Sequence, residues 1–376
     1  MNREHAIDGL RGLAALVVVV SHFLCAFYPA TDTLLLKDMR VNGLEATLSQ
    51  TPFNLLYNGN FAVCVFFVIS GYVLSASFFA SHQQETIYSS AYRRYFRLMI
   101  PVLATSFFYY LFITQDWFVS KYIPPVSDSP WMQKMWNVEP APWHFIKSTL
   151  YDLVVHPEIE PLYNPALWSI GIELKGSYLV YIFLLCMGNH RFRWMGYVGL
   201  ILLTLKTYYV LFISGIVLSD VFHRKKLYRL STGQLLILLV IVCYVGSYKY
   251  TDTTNLWHAL DGLRGIVKPQ AIGAVCLFYI CLQSGLAARI MTTQAVNFLG
   301  KISYSLYLIH LLVIGSLSGI VFKLFVEQLA WSYVMASGAT FVITLGVSFI
   351  LAKVCTQWID DKGVAFTKRL YGKVFR

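Results

Sequence analysis

The fold is decided by residues 8–29, which read DGLRGLAALVVVVSHFLCAFYP. No charged side chain follows Arg11 in this stretch, and Ser21 and His22 interrupt an otherwise apolar run. A helix that crosses a bilayer needs about 20 mostly apolar residues, so this stretch predicts a membrane-spanning helix. Because Asp8 and Arg11 lie close to the apolar run and more such runs follow, we expect an uncleaved helix rather than a signal peptide.

The same length argument predicts about ten spanning helices in the whole chain. Of the 376 residues, 57% are hydrophobic and 13% charged, whereas average soluble proteins are roughly 45–50% apolar and about 25% charged. These values exclude a disordered chain, a coiled coil and an ordinary soluble enzyme, and they predict an all-α, polytopic integral membrane protein. The predicted helices lie near residues 10–29, 58–80, 98–115, 166–187, 194–205, 207–222, 232–248, 268–285, 300–319 and 332–353.

The fifth and sixth of these segments share one apolar block, which is broken by Lys206. This block is also consistent with a single span followed by a re-entrant piece. The seven cysteines form no CxxC pair, so the sequence predicts neither a disulfide framework nor a metal site.

The basic residues predict the orientation of the helices. The net charge is +11, but the basic residues occur in short clusters between apolar segments, which favours a contact with the lipid bilayer and none with nucleic acid. Most of them lie in the loops that are on the same side of the membrane as the N-terminus, so we predict that both termini are cytoplasmic. The predicted location is the cell membrane, that is, the cytoplasmic or inner membrane. The predicted parts are a membrane domain at 1–355, a basic cytoplasmic tail at 356–376, and a Pro- and Trp-rich outer loop at 115–165 that packs as a partial lid.

Ionisable side chains within the predicted helices indicate a functional site, because burying one in a bilayer costs roughly 2.5–3.5 kcal/mol or more. His22, Glu173 and His310 lie at similar depths in the first, fourth and ninth helices. Considered alone, His22 is better explained by a structural hydrogen bond between helices. Three such groups at one depth favour a shared site, in which a histidine acts as general base and a carboxylate orients it.

A cationic cluster is predicted at the cytoplasmic entry, below these three residues. Arg93, Arg94 and Arg97 cover two sides of the start of the third helix, and Arg11 lies at the same depth in the first. A single arginine at a membrane edge usually reaches lipid headgroups. Several together predict a site for a phosphate-bearing donor, because guanidinium groups bind phosphates in a bidentate manner.

Five motifs, in order along nearly the whole chain, resemble the membrane-bound acyltransferase 3 family of polysaccharide and small-molecule O-acyltransferases. Each motif is weak alone, and the resemblance becomes specific because all five occur together. The motifs are residues 7–12 (IDGLRG) with Arg11 and His22, residues 66–72 (FFVISGY), Arg94 and Arg97 followed by Pro101, residues 167–169 (LWS) with Glu173, and residues 302–310 (ISYSLYLIH).

The resemblance implies a donor of the acyl-CoA type, acetyl-CoA by default, taken from the cytoplasm. It implies a hydroxyl acceptor, a glycan or other carbohydrate, at the outer face. Many relatives carry a fused extracytoplasmic hydrolase-like domain, and this chain ends without one. We therefore expect direct transfer, in a monomer or a homodimer, or a separate periplasmic partner protein.

Under this resemblance the family's essential histidine corresponds to His22, which is tuned by Glu173 or His310 and deprotonates the acceptor or carries the acyl group. The donor-binding arginines correspond to Arg11, Arg94 and Arg97. Five further side chains complete the predicted site, with Ser303 and Tyr304 as donors to the oxyanion and Ser70, Trp168 and Tyr307 as substrate contacts.

A proton-coupled transporter or flippase is the competing hypothesis, since histidines and carboxylates at mid-membrane also form proton relays. Transporters often contain inverted repeats. The only recurring segment is the pentapeptide DGLRG at 8–12 and 261–265, whose flanking residues do not match.

Overall fold

The computed structural model describes residues 3–33, 39–41, 43–156, 162–224, 227–250 and 256–374. Over these residues the chain forms helices and turns without any β-strand, which confirms the predicted all-α class. The main helices are α1 (Arg3–Phe27), α2 (Gly59–Ser81), α3 (Glu85–Thr114), α4 (Trp168–Met187), α5 (Arg193–Thr204), α6 (Tyr209–His223), α7 (Thr232–Gly246), α8 (Pro269–Gln283), α9 (Gln294–Val313), α10 (Tyr333–Cys355) and α11 (Asp361–Val374).

Six helices in the described part of the chain are long and apolar enough to cross a membrane, which confirms a polytopic membrane protein. A seventh crossing results if α8 and the short helix before it, which meet at a bend of 97°, count as one span. All ten predicted segments are helical, but α5–α8 contain only 12–15 residues each. At about 1.5 Å per residue they are shorter than the roughly 30 Å hydrocarbon core, so the structure supports six or seven full spans rather than ten.

The helices α2 and α6 approach each other through two glycines. A Cβ on Gly71 would lie 2.1 Å from the carbonyl oxygen of Phe212, and one on Gly215 would lie 2.3 Å from that of Val68. Real Cβ atoms do not come this close, so the contact requires glycine on both helices. Gly71 therefore serves the close packing of α2 against α6.

The loop between α3 and α4 consists of short helical turns that pack onto the ends of α1 and α9. The Ser129 hydroxyl donates to the Cys25 carbonyl at 2.6 Å, and the Ser120 hydroxyl donates to the Ile314 carbonyl at 2.8 Å. Residues 157–161 of the predicted outer loop lie outside the described residues.

The C-terminal residues continue α10 rather than leaving the bundle. A turn of π-helix, Thr356–Asp360, joins α10 to α11, and α11 packs along α3. The boundary predicted at residue 355 thus falls inside one helical run. This packing brings Asp360 towards the arginines in the N-terminal half of α3.

Candidate active site

The two predicted histidines lie side by side between α1 and α9. The Nδ1 atom of His22 is 2.7 Å from Nε2 of His310, and the two ring planes differ by 6°, as expected for a hydrogen bond in the plane of both rings. The helices come this close because Gly12 faces Gly300, where a Cβ on Gly12 would lie 2.4 Å from the Gly300 nitrogen. Gly12 of the first motif therefore allows the close helix packing that brings His22, in the same motif, next to His310.

The hydrogen bonds around His310 determine which nitrogen of each ring carries a proton. His310 Nδ1 is 3.1 Å from the Leu306 carbonyl oxygen, which can only accept, so His310 donates from Nδ1. In a neutral imidazole the other nitrogen is then an acceptor. His310 Nε2 therefore accepts from His22 Nδ1–H, and the lone pair of His22 is on Nε2. That is the atom a general base needs to have free.

Trp131 lies against the other side of His22. Its ring centroid is 5.4 Å from that of His22, with an angle of 21° between the planes. Trp131 belongs to the loop between α3 and α4, so this loop covers the histidine. His310 is fully buried, whereas His22 is half-buried, so His22 is the member of the pair that a reactant could reach.

Glu173 pairs with an arginine instead of a histidine. One of its oxygens, Oε1, forms an ion pair with Arg94 Nη2 and accepts a hydrogen bond of 2.6 Å from the Ser70 hydroxyl. Arg94 Nε also donates to the Ser177 hydroxyl at 2.9 Å. Of the two partners predicted for His22, the structure brings His310 to it, and Glu173 joins α2, α3 and α4 at the level of the arginines.

The predicted arginine cluster is present, but it contains more carboxylates than the sequence indicated. Arg97 is exposed and lies close enough to Arg94, Arg11 and Asp360 for their charges to interact. Arg11 Nη1 is 3.6 Å from the Asp8 carboxylate, and its side chain remains 33% exposed. Arg97 and Arg11 are therefore the members of the cluster with room for a ligand.

Arg93 and the hydroxyl groups of Ser303 and Tyr304 contact backbone carbonyls instead of a common pocket. Arg93 Nε donates to the Ser89 carbonyl on its own helix at 3.0 Å. The Ser303 hydroxyl donates to Gly300 O, and the Tyr304 hydroxyl donates to Leu98 O, both at 2.8 Å. Both hydroxyl protons are already in use, so neither residue is a ready donor to an oxyanion.

The remaining predicted substrate contacts lie around the start of α4. The Tyr307 hydroxyl donates to Ala166 O at 2.8 Å and lies 2.6 Å from the Ser169 hydroxyl. Its ring centroid is 5.9 Å from that of His310, so Tyr307 supports the buried histidine. Trp168 packs against Tyr208, with ring centroids 5.7 Å apart.

Two residues of the site were missed by the sequence analysis. In the sequence, Trp131 is one of several aromatic residues in the Pro- and Trp-rich outer loop, and Asp360 belongs to the predicted tail. The Oδ1 atom of Asp360 is buried without a hydrogen-bond partner among the described residues, close to Arg97 and Arg11. No local signal could identify either residue, because both reach the site through tertiary packing. In the described part of the chain no group of three or more His, Cys, Asp or Glu side chains could hold a metal ion.

The fold and the site define a class of protein. It is a multi-pass helical membrane protein in which a histidine pair lies above a cluster of arginines. The chain belongs to the family described as "Acyltransferase domain", whose model matches residues 4–353. It is therefore an acyltransferase that transfers groups other than amino-acyl groups, as the sequence motifs predicted.

Three curated fungal proteins are similar over almost their full lengths. Acyltransferase clz18 of Cochliobolus lunatus is 23% identical and covers 92% of this chain and 90% of its own length. O-acetyltransferase PaAT-1 of Phomopsis amygdali is 23% identical over 98% of this chain and 85% of its own. Acyltransferase R4 of a Phoma species is 20% identical over 97% of this chain and 95% of its own length. No solved structure matches the chain.

Proposed function

We propose that this membrane acyltransferase moves an acyl group, acetyl by default, from acyl-CoA to a hydroxyl of a carbohydrate or other small acceptor. The observation that carries the proposal is the hydrogen-bonded pair of His22 and His310, which leaves His22 Nε2 as a base. The similarity to a protein named O-acetyltransferase supports the choice of an oxygen acceptor and an acetyl group.

The donor is held at the arginines. Arg97, which is exposed, and Arg11, which is 33% exposed, supply guanidinium groups for the phosphates of coenzyme A. Arg94 is engaged with Glu173, so its role is to position the N-terminal half of α3 relative to α4. Tyr304 contacts α3 at Leu98, and His310 follows six residues later, about 9 Å along α9. The long pantetheine arm can bridge that distance and present the thioester at His22.

The transfer step uses His22 as the base. Its Nε2 atom takes the proton of the acceptor hydroxyl while the acceptor oxygen attacks the thioester carbonyl. The tetrahedral intermediate collapses, the C–S bond breaks, and the coenzyme A thiolate takes the proton from His22. The products are an ester and a free thiol. The hydrogen bond from His22 Nδ1 to His310 becomes charge-assisted while His22 is an imidazolium, which stabilises that state.

The experiment is a comparison of wild-type protein with His22→Ala and with a matched control, His156→Ala, which alters an exposed loop histidine. Cells that express each form are compared by mass spectrometry for acylated glycans and other acylated hydroxyl compounds. The purified forms are compared for thiol release from acetyl-CoA in the presence of a cell extract. We expect acylated product and thiol release with the wild type and with His156→Ala only. Uptake or efflux of a solute without thiol release would instead identify a transporter.

We also propose that the chain resides in the cell membrane with both termini in the cytoplasm, so that the arginines face the cytoplasmic pool of acyl-CoA. The loop between α3 and α4 then faces outward. A cysteine introduced by Ser127→Cys should react with an impermeant reagent in intact cells. Labelling only after permeabilisation would reverse the orientation.

A further inference from the structure

A cavity of about 500 Å³ lies at the opposite end of the bundle from the arginine cluster. It opens where α1 ends near Cys25, where α2 begins at Gly59 and where α8 begins at Pro269. We call it the distal cavity. Sites for small molecules typically measure about 300–1,000 Å³, so its size suits one small ligand.

The distal cavity is strongly basic. Its lining carries one carboxylate, on Asp32, against four cationic side chains, on Lys206, Lys249, Arg264 and Lys268. Three of the four are held in place. Arg264 lies 3.9 Å from the centroid of the Tyr250 ring, Lys268 lies 3.6 Å from that of Tyr208, and Lys249 donates to the carbonyl of Thr31.

Charges of one sign that line a cleft focus the electrostatic field and attract the opposite charge. Burial lowers the pKa of Lys249, and the nearby Asp32 carboxylate opposes that shift. A bound anion would act in the same direction as Asp32. The charge of the lining therefore fits a ligand with acidic groups.

Two buried polar atoms in the lining lack a partner among the described residues. They are Oδ1 of Asn54, a residue only 2% exposed, and the hydroxyl of Tyr57. The Asn54 amide nitrogen donates to Ser49 O at 3.2 Å and Ser247 O at 2.8 Å, which aligns Oδ1 as an acceptor. Burial raises the pKa of the Tyr57 hydroxyl, so it stays protonated and can donate.

Leaving such a buried group without a hydrogen bond is unfavourable, because its lost contact with water is not replaced. A ligand that both donates and accepts hydrogen bonds satisfies Asn54 and Tyr57 together. A hydroxyl group does both, so the two residues fit an alcohol.

The cavity also reaches the helix that carries the candidate base. Ser21 and Cys25 of α1 belong to its lining, and Ser21 directly precedes His22. At about 100° per residue, Cys25 lies roughly 60° from His22 around the helix axis. A ligand in the distal cavity therefore lies beside the segment of α1 that contains His22.

We propose that the distal cavity binds the acyl acceptor and that the acceptor is a small hydroxyl compound carrying carboxylate or phosphate groups. This inference rests on the proposed function, since only an acyltransferase needs an acceptor. It narrows the acceptor from any hydroxyl compound to an anionic one. The second copy of the DGLRG pentapeptide, 261–265, contributes Arg264 to this site, whereas the first contributes Arg11 to the donor site.

The test is a calorimetric titration of the full-length protein in detergent with citrate, which has one hydroxyl and three carboxylates. Trimethyl citrate is the matched neutral probe. We expect citrate to bind in a salt-sensitive manner and its ester not to bind. The double variant Lys206→Gln/Arg264→Gln, which changes two exposed side chains, should bind citrate at least about tenfold more weakly, whereas Lys134→Gln, in the loop between α3 and α4, should not. All forms should bind acetyl-CoA equally.

Inorganic phosphate in place of citrate shows which anion the cavity prefers, and binding of either supports the proposal. Equal binding of citrate and its ester, or unchanged binding in the double variant, would overturn it. Binding of phosphatidic acid in mixed micelles without binding of citrate or phosphate would identify a lipid-headgroup site and overturn it too. If acetyl-CoA binds and both anions fail, only the acceptor class is wrong. If acetyl-CoA fails as well, the proposed function itself fails.

Discussion

Arg94 with Glu173 and Arg193 with Asp220 are both buried arginine–carboxylate pairs that join neighbouring helices. Their side chains are 13% and 12% exposed in the first pair and 9% and 7% in the second, so burial does not distinguish them. Their surroundings do. Every oxygen of Asp220 is used, because Oδ2 accepts from Arg193 Nε at 2.9 Å and from the Tyr197 hydroxyl at 3.0 Å, and Oδ1 accepts from Arg193 and Arg224.

The first pair belongs to a cluster with unused hydrogen-bonding capacity. Among the described residues Arg97 forms no ion pair or hydrogen bond, and Oδ1 of Asp360 has no partner. The second pair is complete, and Arg193 Nη1 also donates to Gly188 O at 2.8 Å. A saturated network stabilises a fold, whereas an unsaturated one is prepared for a ligand. The following variants test that distinction.

The largest effect is expected from His22→Ala, above the unsaturated cluster. Turnover should fall about 10²–10⁴-fold, the usual contribution of a general base. The affinity for acetyl-CoA and the melting temperature should stay close to wild type, because a hydrogen bond between membrane helices averages only about 0.6 kcal/mol. The measurement is initial rate together with thermal stability in detergent. Near-normal turnover here, with turnover lost in His310→Ala, would place the base on α9.

In the saturated network around Arg193 and Asp220, Asp220→Ala should lower the stability of the protein without changing its catalysis. Removing one partner of a buried ion pair typically costs about 3–5 kcal/mol, because the other charge stays buried and unpaired. We expect a lower melting temperature and less folded protein, with unchanged turnover per folded molecule. The control is Asp128→Ala, which alters an exposed loop carboxylate and should change stability by less than about 0.5 kcal/mol. A loss of turnover at normal stability would mean that this network also serves catalysis.

Arg97→Gln should weaken the binding of the acyl donor and leave the stability of the protein unchanged, which is the reverse of the effect expected for Asp220→Ala. A hydrogen bond to a charged group contributes about 1.5–3 kcal/mol, so the Kd for acetyl-CoA should rise about 10-fold to 100-fold. Arg289→Gln is the matched control, since it removes an exposed arginine outside the cluster. Calorimetric titration of both variants decides the point. Equal affinity in the two would refute a phosphate site at Arg97.

The smallest effect is expected for Tyr304→Phe. Its hydroxyl donates to Leu98 O and joins α9 to α3, so its removal should cost about 0.5–1.5 kcal/mol of stability and little turnover. The rate and the melting temperature of this variant distinguish the two roles. A drop of about 100-fold in turnover at unchanged stability would restore Tyr304 as the oxyanion donor.

The sequence predicted the class of fold because apolar length is a local property. All ten apolar segments are helical, and the six longest crossings are visible as runs of hydrophobic residues. The predicted number of full spans is too high, because α5–α8 are apolar but contain only 12–15 residues each. Tertiary packing and bends determine where these helices end. His22, Glu173 and His310 were identified from the cost of burying them in a membrane, and the arginines from their close spacing at a membrane edge; both signals are local.

The pairings of these residues belong to the tertiary structure. Helical spacing predicts one depth for His22 and Glu173, whereas the structure joins Glu173 to Arg94 at the level of the arginines. Close contacts such as that between Gly12 and Gly300 bring α1 against α9, so His22 meets His310, and the turn after α10 brings Asp360 to Arg97. Position along one helix is a local property, whereas depth relative to other helices and partnership depend on how several helices shift and rotate against each other. Only packing between the helices determines that arrangement.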